Sequence, residues 1–146
     1  MTDADWIQDA WANYDAHGFA RLGPWIEPEF LQRLRRRAEE LMAGEVVHSG
    51  MFFQMDASTG RYEDAPLGLG WQGPSLNYRK LEKLELDDIF LDLIRLPKSE
   101  GLLRARMVGA IHLYRAIVFN KGERGGSDIP WHQDGGKLWG LSEEPT

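Results

Sequence analysis

An imidazole and a carboxylate stand two residues apart near the end of this chain, in Pro130-Trp131-His132-Gln133-Asp134-Gly135-Gly136. For His132 and Asp134 to act together the backbone between them must be extended, because only residues i and i+2 of a strand share a face. Gln133 then points the other way. Gly135 and Gly136 permit a tight turn, or the close approach of another segment, directly after the pair. An N,O pair on one face can reach a single cation, and that combination suits iron(II), manganese or zinc. The pattern predicts a metal-bearing strand over residues 129–134.

Composition narrows the rest. A length of 146 residues predicts one domain, spanning 1–146, with room for a core. The net charge of −6 argues against a nucleic-acid footprint, which would be basic. Arg33, Arg35, Arg36 and Arg37 form the one basic cluster, and on a helix they read as a solvated face. The absence of Cys removes disulfides, thiolate metal sites and a Cys nucleophile. No apolar run approaches the roughly 18 residues of a membrane span, and the N-terminus is acidic rather than basic then apolar. The expected setting is soluble and cytoplasmic.

Along the chain, Trp6, Ile7, Ala10, Trp11 and Tyr14 recur at helical spacing and predict a helix over 3–17, with Gly18 as its stop. Phe19 to Leu22 is a strand candidate. A second helix starts at Glu27 or Pro28, carries Phe30, Leu31, Leu34, Ala38, Leu41 and Met42 as its apolar stripe, and ends at Gly44. Residues 51–55 read as a strand, with the chain from Arg61 as a candidate hairpin partner. Gly68, Gly70, Gly73 and Pro74 mark a loop in which Trp71 and Tyr78 either line a pocket or anchor the surface. Asp87 or Asp88 caps a short helix through Ile94, and another helix covers 99–107. From Ala110 to Asn120 the period changes to two, with both faces largely apolar, which predicts a central strand. His112 on that strand reads as a hydrogen-bonded core residue. The Gly-rich connector 121–128 lacks the spacing of a phosphate loop.

The run Ile117-Val118-Phe119-Asn120-Lys121, a Gly-containing loop, and then Ile129-Pro130-Trp131-His132-Gln133-Asp134-Gly135-Gly136 resembles the phytanoyl-CoA dioxygenase family. Gly18-Phe19-Ala20-Arg21-Leu22, with the helix that follows, is similar to the opening of that family. The resemblance implies an α+β fold: N-terminal helices plus part of a double-stranded β-helix (jelly roll). It implies a non-haem dioxygenase that uses iron(II) with 2-oxoglutarate as cosubstrate to hydroxylate a small molecule, and it leaves room for ascorbate as an accessory cofactor. His132 and Asp134 would be metal ligands, Lys80 a contact to 2-oxoglutarate, and Ile117 a neighbour of the cosubstrate. Asp134 argues against the halogenating relatives, in which a small residue replaces the carboxylate. The family's second iron-binding His and its 2-oxoglutarate-binding Arg come long after the His-x-Asp, whereas this sequence ends at Thr146. The expectation is therefore an incomplete copy of an oxygenase, binding iron poorly and turning over nothing unless a second chain completes it. Two other readings stand beside it. One is a non-catalytic binding or structural module with Trp131 and Trp139 in its core, and the other a zinc or manganese enzyme of cupin type. The substrate and the oligomeric state are not specified by these motifs.

Overall fold

The computed structural model describes residues 3–66, 68, 70–122, 126–129 and 131–132. Two helices come first, α1 (Asp3–His17) and α2 (Pro28–Ala43). Strand β1 (Phe52–Met55), a 3-10 turn (Tyr62–Asp64), strand β2 (Tyr78–Glu82) and a second 3-10 turn (Leu84–Leu86) follow. Then come α3 (Asp88–Ile94), α4 (Pro97–Arg104) and β3 (Ile117–Phe119). The strands form one antiparallel sheet in the order β1-β2-β3. The chain is thus mixed α and β, with its helices outside a small antiparallel sheet. No helix among the described residues is long and apolar enough to cross a membrane.

Helix α2 forms where its stripe predicts. Pro28 sits in the first turn, where a missing N–H costs nothing, and Gly44 closes the helix in the left-handed conformation at φ 77°. Leu34, Leu41 and Met42 from its inner face meet Phe53 of β1, Tyr78 and Leu81 of β2, and Phe90 of α3. Each such side chain, fully buried, contributes about 1.5–3 kcal/mol of transfer free energy. Leu31 lies at the edge of the stripe and stays partly exposed. Helix α1 packs elsewhere. Its Trp11 indole N–H donates to the Leu102 carbonyl at 2.9 Å, and Trp6 meets Trp25 edge to face at 5.8 Å.

One buried carboxylate ties three segments together. Asp87 is fully buried. Its Oδ1 accepts the Ile89 amide and caps α3, while Oδ2 accepts from Arg37 of α2 at 2.7 Å and sits 2.8 Å from His48 Nε2 in the loop before β1. A buried charge needs partners of this kind to be tolerated.

Four local expectations are corrected. Phe19–Leu22 forms no strand; the segment lies between Gly18 and Gly23, both at positive φ, with Phe19 exposed. The stretch from Arg61 is not the hairpin partner of β1, because its first residues turn into a 3-10 helix and the partner is β2. The last helix begins at Pro97 and ends at Arg104, Pro being suited to a helix start. The long central strand over 110–120 shrinks to Ile117–Phe119, which pairs with β2 alone among the described residues. Alternation signals burial only where neighbours cover both faces, and here Leu113 and Tyr114 are exposed and His112 is exposed rather than in the core.

Candidate functional site

The face of the sheet opposite the core forms one wall of a cavity of about 380 Å³, lined by Lys80, Ile117 and His132 together with Arg79, Arg115 and aromatic side chains. Three of the four sequence-predicted site residues therefore border the same space. The fourth, Asp134, lies outside the described residues.

Register explains how β2 supplies this wall. Phe53 opposes Leu81 on the core side, while Gln54 opposes Lys80 and Phe52 opposes Glu82 on the cavity side. Between Gln54 and Met55 the register shifts, since Met55 opposes Tyr78 and Arg79 is the extra residue. Such a bulge re-aims a side chain. Tyr78 and Leu81 both face the core, and the two residues between them, Arg79 and Lys80, both border the cavity. Tyr78 is thereby a core residue and not a pocket aromatic. Its hydroxyl accepts from the Gln72 amide at 2.5 Å and donates to the Gly73 carbonyl at 2.9 Å, fixing the glycine-rich loop. In that loop Trp71 is an anchor, donating its indole N–H to the Met42 carbonyl at 3.1 Å.

The cations of the cavity are not equivalent. Lys80 Nζ pairs with Glu82 on its own strand and lies 6.0 Å and 5.7 Å from the ring centres of Phe52 and Phe119. Arg115 Nη1 is 3.9 Å from the same Glu82 carboxylate, which answers the need of an Arg on an apolar segment for a counter-charge. Arg79 is only 6% exposed, and its guanidinium stacks over the Tyr62 ring at 4.5 Å.

His132 is exposed at the cavity rim and does not lie in a strand. Two anchors hold the segment that leads to it. Asn120 donates its amide to the Tyr78 and Leu76 carbonyls at 2.9 and 3.0 Å, locking the end of β3 onto β2. Further along, the Asp56 carboxylate accepts the Ser127 hydroxyl at 2.5 Å and the Ser127 amide at 3.1 Å. Burial pushes Asp56 up, but the Ser127 hydroxyl and amide and the Ala57 amide outweigh it, and its carboxyl ends below the ordinary aspartate range. Gly126 permits the approach: its φ is 109°, and a Cβ there would fall 2.8 Å from Lys121 Cγ.

The other histidines are placed apart from this arrangement in their contacts. His48 is engaged with Asp87, and His17 packs near Phe19. Among the described residues no three His, Asp or Glu side chains converge as a metal cage would require. The chemistry of the cavity nonetheless fits an imidazole-bound divalent metal beside an organic anion. One imidazole stands at the rim, cationic side chains stand on the wall, and apolar surface lies between them. Trp131, which a purely structural role would bury, is fully exposed at 104%.

Arg79, Glu82 and the Asp56–Ser127 tether escaped the sequence reading. Strict alternation puts Arg79 and Lys80 on opposite faces, and nothing in the residue types announces the bulge. No protein-family model, no curated protein and no solved structure matches this chain.

Proposed function

We propose that this chain forms the metal- and cosubstrate-binding part of a non-haem iron(II)- and 2-oxoglutarate-dependent dioxygenase of the phytanoyl-CoA dioxygenase type, its three strands belonging to a double-stranded β-helix. The observation that carries the proposal is the meeting of Lys80, Ile117 and His132 around one cavity, although they are far apart in sequence. In this reading neutral His132 and ionised Asp134 hold the metal. Lys80 offers a point charge to a carboxylate of 2-oxoglutarate, and Ile117 packs against its carbon chain. Iron(II) with 2-oxoglutarate and oxygen supplies an oxidant strong enough to hydroxylate a carbon of a small-molecule substrate. The protein's share is to position these groups and keep the cavity partly dry.

This reading assigns two protein donors, and two hold a divalent metal loosely. The 146 residues acting alone are accordingly expected to bind iron(II) weakly and to release little succinate from 2-oxoglutarate. An anaerobic titration with iron(II) and 2-oxoglutarate, followed through the visible iron–2-oxoglutarate charge-transfer band, and a succinate assay after admitting air test both parts. A weak band lost in His132→Ala supports the site. Robust succinate release by the isolated chain refutes the inactivity, and metal binding indifferent to His132→Ala refutes the site itself.

A further inference from the structure

We infer that Arg79 is an anion receptor in this cavity, and that it takes the carboxylate of a small organic acid with an apolar body. This goes beyond the proposed metal site and does not depend on it.

The first support is burial without a partner. Arg79 is 94% removed from solvent, yet its guanidinium makes no hydrogen bond or ion pair with any described residue. Its interactions are the stack on Tyr62 and a through-space attraction to Asp56, whose carboxylate oxygens are taken up by Ser127 and Ala57. Its five N–H donors have no acceptor among the described residues and border the cavity, where a ligand can supply one. Its neighbour Lys80 is already paired with Glu82.

The second support is the bulge. Without the register shift between Gln54 and Met55, Arg79 would share the face of Leu81 and point into the apolar core. The same bulge seats Tyr78 in the core and turns Arg79 to the cavity side, so that one extra residue adds a cation to the cavity wall beside Lys80. Tyr62 lies against the guanidinium, 4.5 Å from its ring centre to Arg79 Cζ, which restrains the side chain while leaving its N–H donors for a two-oxygen acceptor.

The third support fixes the ligand class. Ile117, Phe119 and Tyr114 share the cavity with Arg79. Such walls favour an acid with a hydrocarbon portion over inorganic phosphate, which would lose hydration on every side.

The test uses the 146-residue chain without metal, titrated with glutarate, its neutral analogue glutaramide, and inorganic phosphate, with binding read by amide shifts. Glutarate is expected to bind at least tenfold more tightly than either. Arg79→Gln should weaken glutarate at least tenfold and erase its advantage over glutaramide, with Arg79→Lys in between. Full glutarate affinity in folded Arg79→Gln, or phosphate binding as tight as glutarate, overturns the inference. Should Arg79→Gln not fold, phenylglyoxal modification of the unaltered chain decides: protection of Arg79 by glutarate supports the receptor, and modification at the same rate with and without glutarate overturns it. Competition by 2-oxoglutarate identifies the acid as the cosubstrate, and simultaneous binding identifies it as the substrate. Because no metal is present, loss of acid binding in Arg79 variants and loss of iron binding in His132 variants are read separately.

Discussion

Replacing Asp87 with Asn removes one charge from the point where α2, the loop before β1 and α3 meet. Asp87 is fully buried, while Arg37 and His48 retain about a quarter of their side-chain exposure, at 25% and 28%. Asn caps a helix about as well as Asp, so the Ile89 amide keeps its acceptor and the cap drops out of the comparison. What is lost is the charge facing Arg37 at 2.7 Å. Removing one partner of a buried pair costs about 3–5 kcal/mol, but Arg37 is a quarter exposed and keeps Glu40 at 2.8 Å, which brings this case to about 2 kcal/mol. Asp87→Ala adds the lost cap, about 1 kcal/mol more. Urea unfolding followed by circular dichroism measures both, and a cycle with Arg37→Met should return a coupling of about 2 kcal/mol. The pH dependence has a definite sign. Burial alone raises the Asp87 carboxyl, but the Arg37 and His48 hydrogen bonds outweigh it, so its folded pKa lies below the unfolded value. The stabilisation is then present above the unfolded aspartate pKa of about 3.9 and fades as pH falls through the folded one. The gap between native chain and Asp87→Asn should close in acid. A cost under about 1 kcal/mol at neutral pH, or a gap that does not shrink in acid, refutes the reasoning.

Two further substitutions probe other contacts. Gly44→Ala places a Cβ 2.4 Å from Trp71 Cζ2 at a left-handed position, and should lower stability by about 2–3 kcal/mol through backbone strain and displacement of the indole, measured as a shift in urea midpoint at unchanged slope. Asp56→Ala should cost about 2 kcal/mol from its hydrogen bonds to Ser127 and, by releasing the segment that carries His132, weaken manganese(II) binding severalfold. Manganese affinity unchanged in folded Asp56→Ala would show that the tether does not position His132.

The helices were largely legible because their apolar stripes and stop signals agree. The 3–17 helix and the Pro28-to-Gly44 helix both follow from spacing and terminal residues, and Asp87 caps its helix as its type suggests. The sheet was less so. A partner is chosen by tertiary packing, and β1, which ends at Met55, pairs with a strand that begins only at Tyr78, past a loop whose glycines give no register. The 110–116 stretch shows how alternation misleads, since its apolar residues are spaced for a strand but lie outside the ladder. Lys80, Ile117 and His132 were found by motif, and their shared cavity is a matter of folding that spacing cannot give. Arg79 was invisible for the opposite reason: its neighbour occupies the expected face, and only the extra residue in β2 brings both to one side.

Paramagnetic broadening by manganese(II), which detects loose as well as tight binding, tests the proposed metal site most directly. Sub-stoichiometric manganese(II) should broaden the amide resonances of Lys80, Ile117 and Phe119 first, and His132→Ala and Asp134→Ala should each abolish that selectivity. Broadening centred elsewhere, or a pattern unchanged by loss of the imidazole, would contradict a metal site at this cavity.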